Sequence, residues 1–289
     1  MEATEKPRKK RGHWEDVWRR FRKNKAAMFG LAVMVLMVFS AIFAGVIAPA
    51  DPIAQNLDRA FLPPSFQHIM GTDNFGRDIF SRVIFGTRTS LRIGFTAVGV
   101  GLIMGLILGS ISGFYGGKID NVLMRFIDIL ISIPGILLAI AIVAALGGGM
   151  INVMIAVGLS SIPGYTRITR AAVLTIRERE FVEAARAIGG NDFRIITRHI
   201  LPNCLAPIIV QATLGLSGAI LSAAGLSFIG LGIQPPTPEW GFMLSDGRRF
   251  IRDHWHMVMF PGLAIVTVVL AINLVGDGLR DAFDPKLKK

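Results

Sequence analysis

With 289 residues, 52% of them apolar and only 18% charged, and a mean hydropathy of +0.54, the chain is too apolar for an ordinary soluble globule. A formal charge of +11 invites a nucleic-acid reading, but the basic residues lie between apolar runs and form no single face, so they are read as charges that orient a membrane protein. Cys204 is the sole cysteine, which excludes an internal disulfide and a cysteine-based zinc site.

Residues 1–27 carry Lys6, Arg8, Lys9, Lys10, Arg11, Arg19, Arg20, Arg22, Lys23 and Lys25 against four acids, and are expected to stay in the cytoplasm. Within them Trp14, Trp18, Phe21 and Lys25 recur at helical spacing, as in a short helix lying on an anionic membrane surface. Residues 28–48 hold the first spanning run, Met28 to Ile47. Its polar lead and its length fit an uncleaved anchor better than a signal peptide. Residues 49–88 balance acids against bases and are expected outside as a loop.

The second span, Leu91 to Gly113, spaces Gly101, Gly105, Gly109 and Gly113 four apart, so that one helix face is bare and can press against a neighbouring helix. Third and fourth spans are expected over Asn121 to Leu146 and Met150 to Tyr165, separated by Gly147-Gly148-Gly149. Arg125 and Asp128, three apart near the start of the third, are read as an intrahelical ion pair. Pro134 and Pro163 fall inside these spans and mark points of bending.

Residues 166–203 form a long polar interruption with seven arginines against four acids, expected inside the cell. Phe181 to Ile188 predicts a short helix stopped by Gly189-Gly190; Asn191 or Asp192 caps a second helix that runs to Pro202. Cys204 to Leu226 and Met257 to Leu279 complete six spans, and the segment between them, with three acids and three arginines, is expected outside. Residues 281–289, with Lys286, Lys288 and Lys289, are a cytoplasmic tail, so that both termini lie on the same side. The fold class is therefore all-α and polytopic.

The spacing Glu183-Ala184-Ala185, then Gly189, then Leu201-Pro202 resembles the signature loop of binding-protein-dependent ABC importer permeases. The form His199-Ile200-Leu201-Pro202-Asn203 resembles the peptide-permease branch. So do Gly71-Thr72-Asp73, Gly76-Arg77-Asp78, Ser81-Arg82 and the stretch from Leu226 through Gly241, which are similar to the C-type subunits of dipeptide and oligopeptide permeases. The resemblance covers most of the chain. It implies a type I ABC importer membrane domain over residues 89–280 and a loop whose Glu183, Ala184, Ala185, Arg186, Gly189, Leu201 and Pro202 couple to an ATPase. It also implies a homologous B-type permease, two ATPase subunits and an external solute-binding protein as partners, with di- or oligopeptides as cargo and nickel chelates or other small solutes behind them.

No Walker A sequence is present, since Gly116-Gly117-Lys118 runs into Ile119, so ATP and magnesium are expected on partner subunits and no cofactor on this chain. Gln211, Ser217, Ser222 and Asn273 are polar residues within the spans that either line a path for solute or join helices. Two other readings are weaker. Gly215-Leu216-Ser217-Gly218 mimics an intramembrane protease motif, but no histidine lies within an apolar span to act as base. His254 and His256 alone are too few for a metal site. An ion-coupled secondary transporter, the more serious rival, should carry ionisable groups near mid-membrane.

Overall fold

The structure is a computed structural model that describes residues 13–284. The basic residues from Lys6 to Arg11 and the tail lysines Lys286, Lys288 and Lys289 lie outside the described residues. An amphipathic helix α1 (His13–Lys23) leads into α2 (Lys25–Ile42), whose first turn is capped by Asn24 accepting from the backbone N–H of Ala27 at 3.1 Å. A single turn α3 (Ala44–Ile47) ends this first crossing. Then follow α4 (Ile79–Tyr115), α5 (Gly117–Ile131), α6 (Gly135–Leu146) and α7 (Met150–Arg177). Short helices α8 (Glu180–Ala187) and α9 (Asp192–Ile195) precede α10 (Leu201–Phe228), α11 (Trp240–Gly247) and α12 (His256–Phe283).

Among the described residues four helices are long and apolar enough to cross a membrane: α2, α4, the continuous run from Asp192 to Phe228, and α12. A fifth crossing is the pair α5 and α6, which bends by 86° at the break around Pro134. The expected count of six apolar spans is thus corrected to four or five. The difference is α7, which is long enough but carries Arg167 and Arg170 together with several hydroxyl residues. These polar groups lower its hydropathy below that of the other long helices, although it runs along the length of α4.

The axis of the molecule is the pairing of α4 with α7. A Cβ placed on Gly101 would lie 2.0 Å from the Ser161 hydroxyl, on Gly105 2.3 Å from Tyr165 Cβ, on Gly109 2.6 Å from Thr169 Cβ, and on Gly113 2.9 Å from Val173 Cβ. Residue numbers rise together on the two helices, so they run parallel, and α5 with α6 must return the chain between them. The expected intrahelical pair of Arg125 with Asp128 is not formed. Asp128 instead accepts from Arg167 of α7 at 2.6 Å, and Asp120 is gripped by both Nε and Nη2 of Arg170, each at 2.6 Å, and by the Ser112 hydroxyl. The reason is geometric: parallel packing brings the arginine-bearing end of α7 beside the start of α5.

At the opposite end, the loop expected over residues 49–88 is shorter, because α4 begins at Ile79, with Asp78 accepting from Ser81 N at 2.8 Å as its cap. Arg82, which marked this stretch as polar in sequence, is buried, donates to the Pro52 carbonyl at 2.8 Å and lies 3.6 Å from Asp73. Asp73 also accepts from Arg77 Nε at 2.6 Å, and Trp240, fully buried, donates to the Val83 carbonyl at 3.0 Å. The Glu239 carboxylate caps α11 by accepting from Gly241 and Phe242 N–H groups; burial holds its pKa above the usual carboxylate range, against the pull of those donors. The family-like motifs at this end are therefore a packed cap over the bundle.

Candidate coupling segment and translocation cleft

The chain between α7 and α10 turns back on itself at the end of the bundle that also holds α1 and the end of α12. On α8, Val182 is 0% exposed and Ala185 is buried beside it, packed into a cluster with Phe114, Val173, Ile195 and Ile200. Arg186 places its guanidinium 5.0 Å from the centre of the Phe114 ring. The other face, with Glu183, Ala184 and Ala187, is bare, and it is continued by Ile188 at 87% and Phe193 at 76% exposure. Two of the three alanines on this helix thus face outward, while Ala185 faces the chain's own core.

The glycine pair after α8 divides the work of the turn. Gly189 holds φ at +78°, a conformation that a side chain resists, and its N–H donates to the Arg186 carbonyl at 2.9 Å. Gly190 donates to the Ala185 carbonyl at 3.0 Å so closely that a Cβ would lie 2.6 Å from that oxygen. Asn191 then caps α9 by accepting from Arg194 N at 2.8 Å. The second helix does not stop at Pro202 as expected. A π-helical turn over Ile196–Ile200, closed by Leu201 N donating to the Ile196 carbonyl, shifts the ladder so that Pro202, with no N–H to give, sits in the first turn of α10. Leu201 is half-buried and Pro202 exposed at this joint.

Of the four polar residues assigned to a path, two line one cleft and two do not. Gln211 and Ser222, both on α10, line a cleft of about 330 Å³ with Ser160, Ser161 and Tyr165 of α7. Ser217 instead donates to Asn273 Oδ1 at 2.8 Å, joining α10 to α12. The same hydroxyl also lies 2.7 Å from the Leu214 carbonyl, and neither neighbour is a base of the kind a nucleophilic serine needs. Sequence reasoning missed Ser160, Ser161 and Tyr165. Their signal was present as a polar strip within the fourth span, but only the placement of α10 shows which side of it is open.

His254 stacks on Phe61 with centroids 4.3 Å apart, while the buried His256 ring lies 3.2 Å from the Thr72 carbonyl. Both rings serve the packed cap.

A helical bundle with a parallel helix pair at its core and an outward-facing bend between α7 and α10 has the architecture of a type I ABC importer membrane domain. In fold the chain is similar to a chain of the MetNI methionine ABC transporter in an inward-facing conformation, with a TM-score of 0.57 at 20% identity, over 70% of this chain and 97% of that one. Residues 105–289 match the family described as binding-protein-dependent transport system inner membrane component, and residues 12–64 match the N-terminal TM domain of oligopeptide transport permease C. The chain belongs to this family of multi-pass inner-membrane permease subunits of ABC importers. It is 50% identical over 280 residues to the di/tripeptide transport system permease protein DppC of Pseudomonas aeruginosa, covering 95% of this chain and 92% of that protein. It is 48% identical over 286 residues to the glutathione transport system permease protein GsiD of Escherichia coli, covering 98% and 94%.

Proposed function

We propose that this chain is the C-type half of a permease heterodimer that carries short peptides into the cell, driven by two ATPase subunits docked under α8 and fed by an extracytoplasmic binding protein. The observation that carries the coupling role is the two-faced construction of α8: Val182 and Ala185 anchor it to the ends of α4, α7 and α10, while Glu183, Ala184, Ala187 and Ile188 are left bare. Such a helix transmits a push from outside into the bundle, because its inner face is packed too tightly to slip. Peptide cargo is supported by the two relatives named for di/tripeptide and for glutathione transport, which share short-peptide chemistry.

In this reading the ATP and magnesium sit on the ATPases, closure of which draws the coupling helices of the two permeases together. The permeases then rock between two global states, taking solute from outside in one and releasing it inside in the other. The arginine-rich bend and both termini face the cytoplasm. In proteoliposomes holding the whole complex, Glu183→Arg and Gly189→Trp are expected to insert and assemble normally yet lose ATP-driven peptide uptake. Wild-type uptake rates from both variants would overturn the coupling role of this segment.

A further inference from the structure

The cleft between α7 and α10 carries five polar side chains on an otherwise apolar wall and no charged side chain among its lining residues. Tyr165, 4% exposed, brings its hydroxyl to the wall without a hydrogen-bond partner among the described residues. That hydroxyl crowds Gly215 so closely that a Cβ there would lie 2.1 Å from it. Buried hydroxyls seldom go unpaired, and this one, unlike the other unpaired hydroxyls, belongs to a residue that lines the cleft. The side chains of Gln211 and Ser222 likewise make no hydrogen bond to other described residues. Ser160 and Ser161 give their protons to the Val157 and Gly158 carbonyls, at 2.9 and 2.7 Å, which leaves their oxygens as acceptors. Open room adjoins these groups: a Cβ on Gly135, Gly164 or Gly218 would meet no atom within 4 Å.

We infer that this cleft is a neutral binding site for the peptide main chain, in which Gln211, Tyr165 and Ser222 satisfy backbone amides while side chains of any charge project into the open space beside the glycines. The inference rests on the peptide-permease role proposed above and adds the chemistry by which the path tolerates many cargoes. At membrane depth each amide N–H and C=O of the cargo needs a partner that lipid does not offer. Neutral donors and acceptors supply it for every peptide alike, whereas a fixed charge in low dielectric holds one class of side chain and repels another. The rise of α10 from Gln211 to Ser222 is about 16 Å, which matches about four to five residues of extended chain. Gln211 also lines a second cleft of about 580 Å³, bordered by Ile168, Pro207 and Val210 and, at the α8 end of the bundle, by Arg280 and Asp284.

The test places a charge in the assembled path. In a Cys204→Ser background, Ser222→Cys is purified within the full complex, reconstituted, and modified with either sulfonatoethyl or trimethylammonium-ethyl methanethiosulfonate. Uptake of labelled Ala-Ala-Ala, Ala-Asp-Ala and Ala-Lys-Ala is measured with the same binding protein throughout. The sulfonate adduct should lower Ala-Asp-Ala relative to Ala-Lys-Ala by about tenfold or more, and the trimethylammonium adduct should reverse that preference. Tyr165→Phe should slow all three peptides equally. Adducts that change the three uptakes in the same proportion, or leave them untouched, overturn the inference, as does a thiol that mass spectrometry finds unreactive. A complex that carries none of the three before modification overturns the peptide-permease reading itself, a separate result.

Discussion

Gly105 and Gly109 owe their identity to backbone contact: a Cβ on Gly105 would lie 3.0 Å from Thr166 N, and one on Gly109 would lie 2.6 Å from the Thr166 carbonyl oxygen. A neighbouring side chain can turn aside, but a helix backbone cannot without moving the whole element. Gly105→Leu or Gly109→Leu should therefore cost at least the ~1–3 kcal/mol of an overpacked core. The same change at Gly99, where a Cβ meets nothing within 4 Å, should be tolerated. Thermal unfolding in detergent compares the three; equal losses would mean that the helix face does not matter. The repeat of four was legible in the sequence because helical period is a local property. The partner of Asp128 was not, since Arg125 three positions away and Arg167 on another helix are equivalent choices until α5 and α7 are placed side by side.

At the scale of the element, α8 illustrates how one short helix is held and offered at once. Its composition and its glycine stop were readable from residues 181–190, whereas the sorting of its alanines into inner and outer was not. Val182→Asp would bury a carboxylate at a site that is 0% exposed, among the apolar side chains that seat α8. It should unseat α8, lower the melting temperature and make the segment between α7 and α10 susceptible to protease, while Ala184→Asp on the bare face should leave both unchanged. Equal protease resistance in the two variants would show that α8 is not seated through Val182. The run from α9 into α10 teaches the complementary lesson. Pro202 reads as a stop in sequence, yet the π-helical turn before it moves the hydrogen-bond ladder past the missing donor.

For the whole molecule, the bundle separates two ends of different character. One holds α1, with Val17 and Phe21 packed on Ala27 and Ala282, together with α8 and the arginine-bearing end of α7; the other holds the packed cap around Asp73, Arg77, Arg82 and Trp240. The proposed orientation puts the first end in the cytoplasm. In a Cys204→Ser background, a membrane-impermeant maleimide added to intact spheroplasts should label Phe66→Cys, since Phe66 is fully exposed in the cap, and should label Ala184→Cys only after lysis. The opposite pattern would invert the molecule.

What the sequence by itself determined is the membrane setting, the all-helical class, the bare glycine face and the signature bend. Each of these depends on composition, on helical period or on a contiguous motif, all of which are local. The tertiary structure alone decided that α4 and α7 run parallel, that α5 and α6 form one bent crossing, that Ser217 and Asn273 join helices, and that Gln211 and Ser222 share a cleft with Tyr165. A polar residue in a membrane helix has the same local sequence whether it bonds a neighbour or waits for a ligand, and only the position of the other helices distinguishes the two.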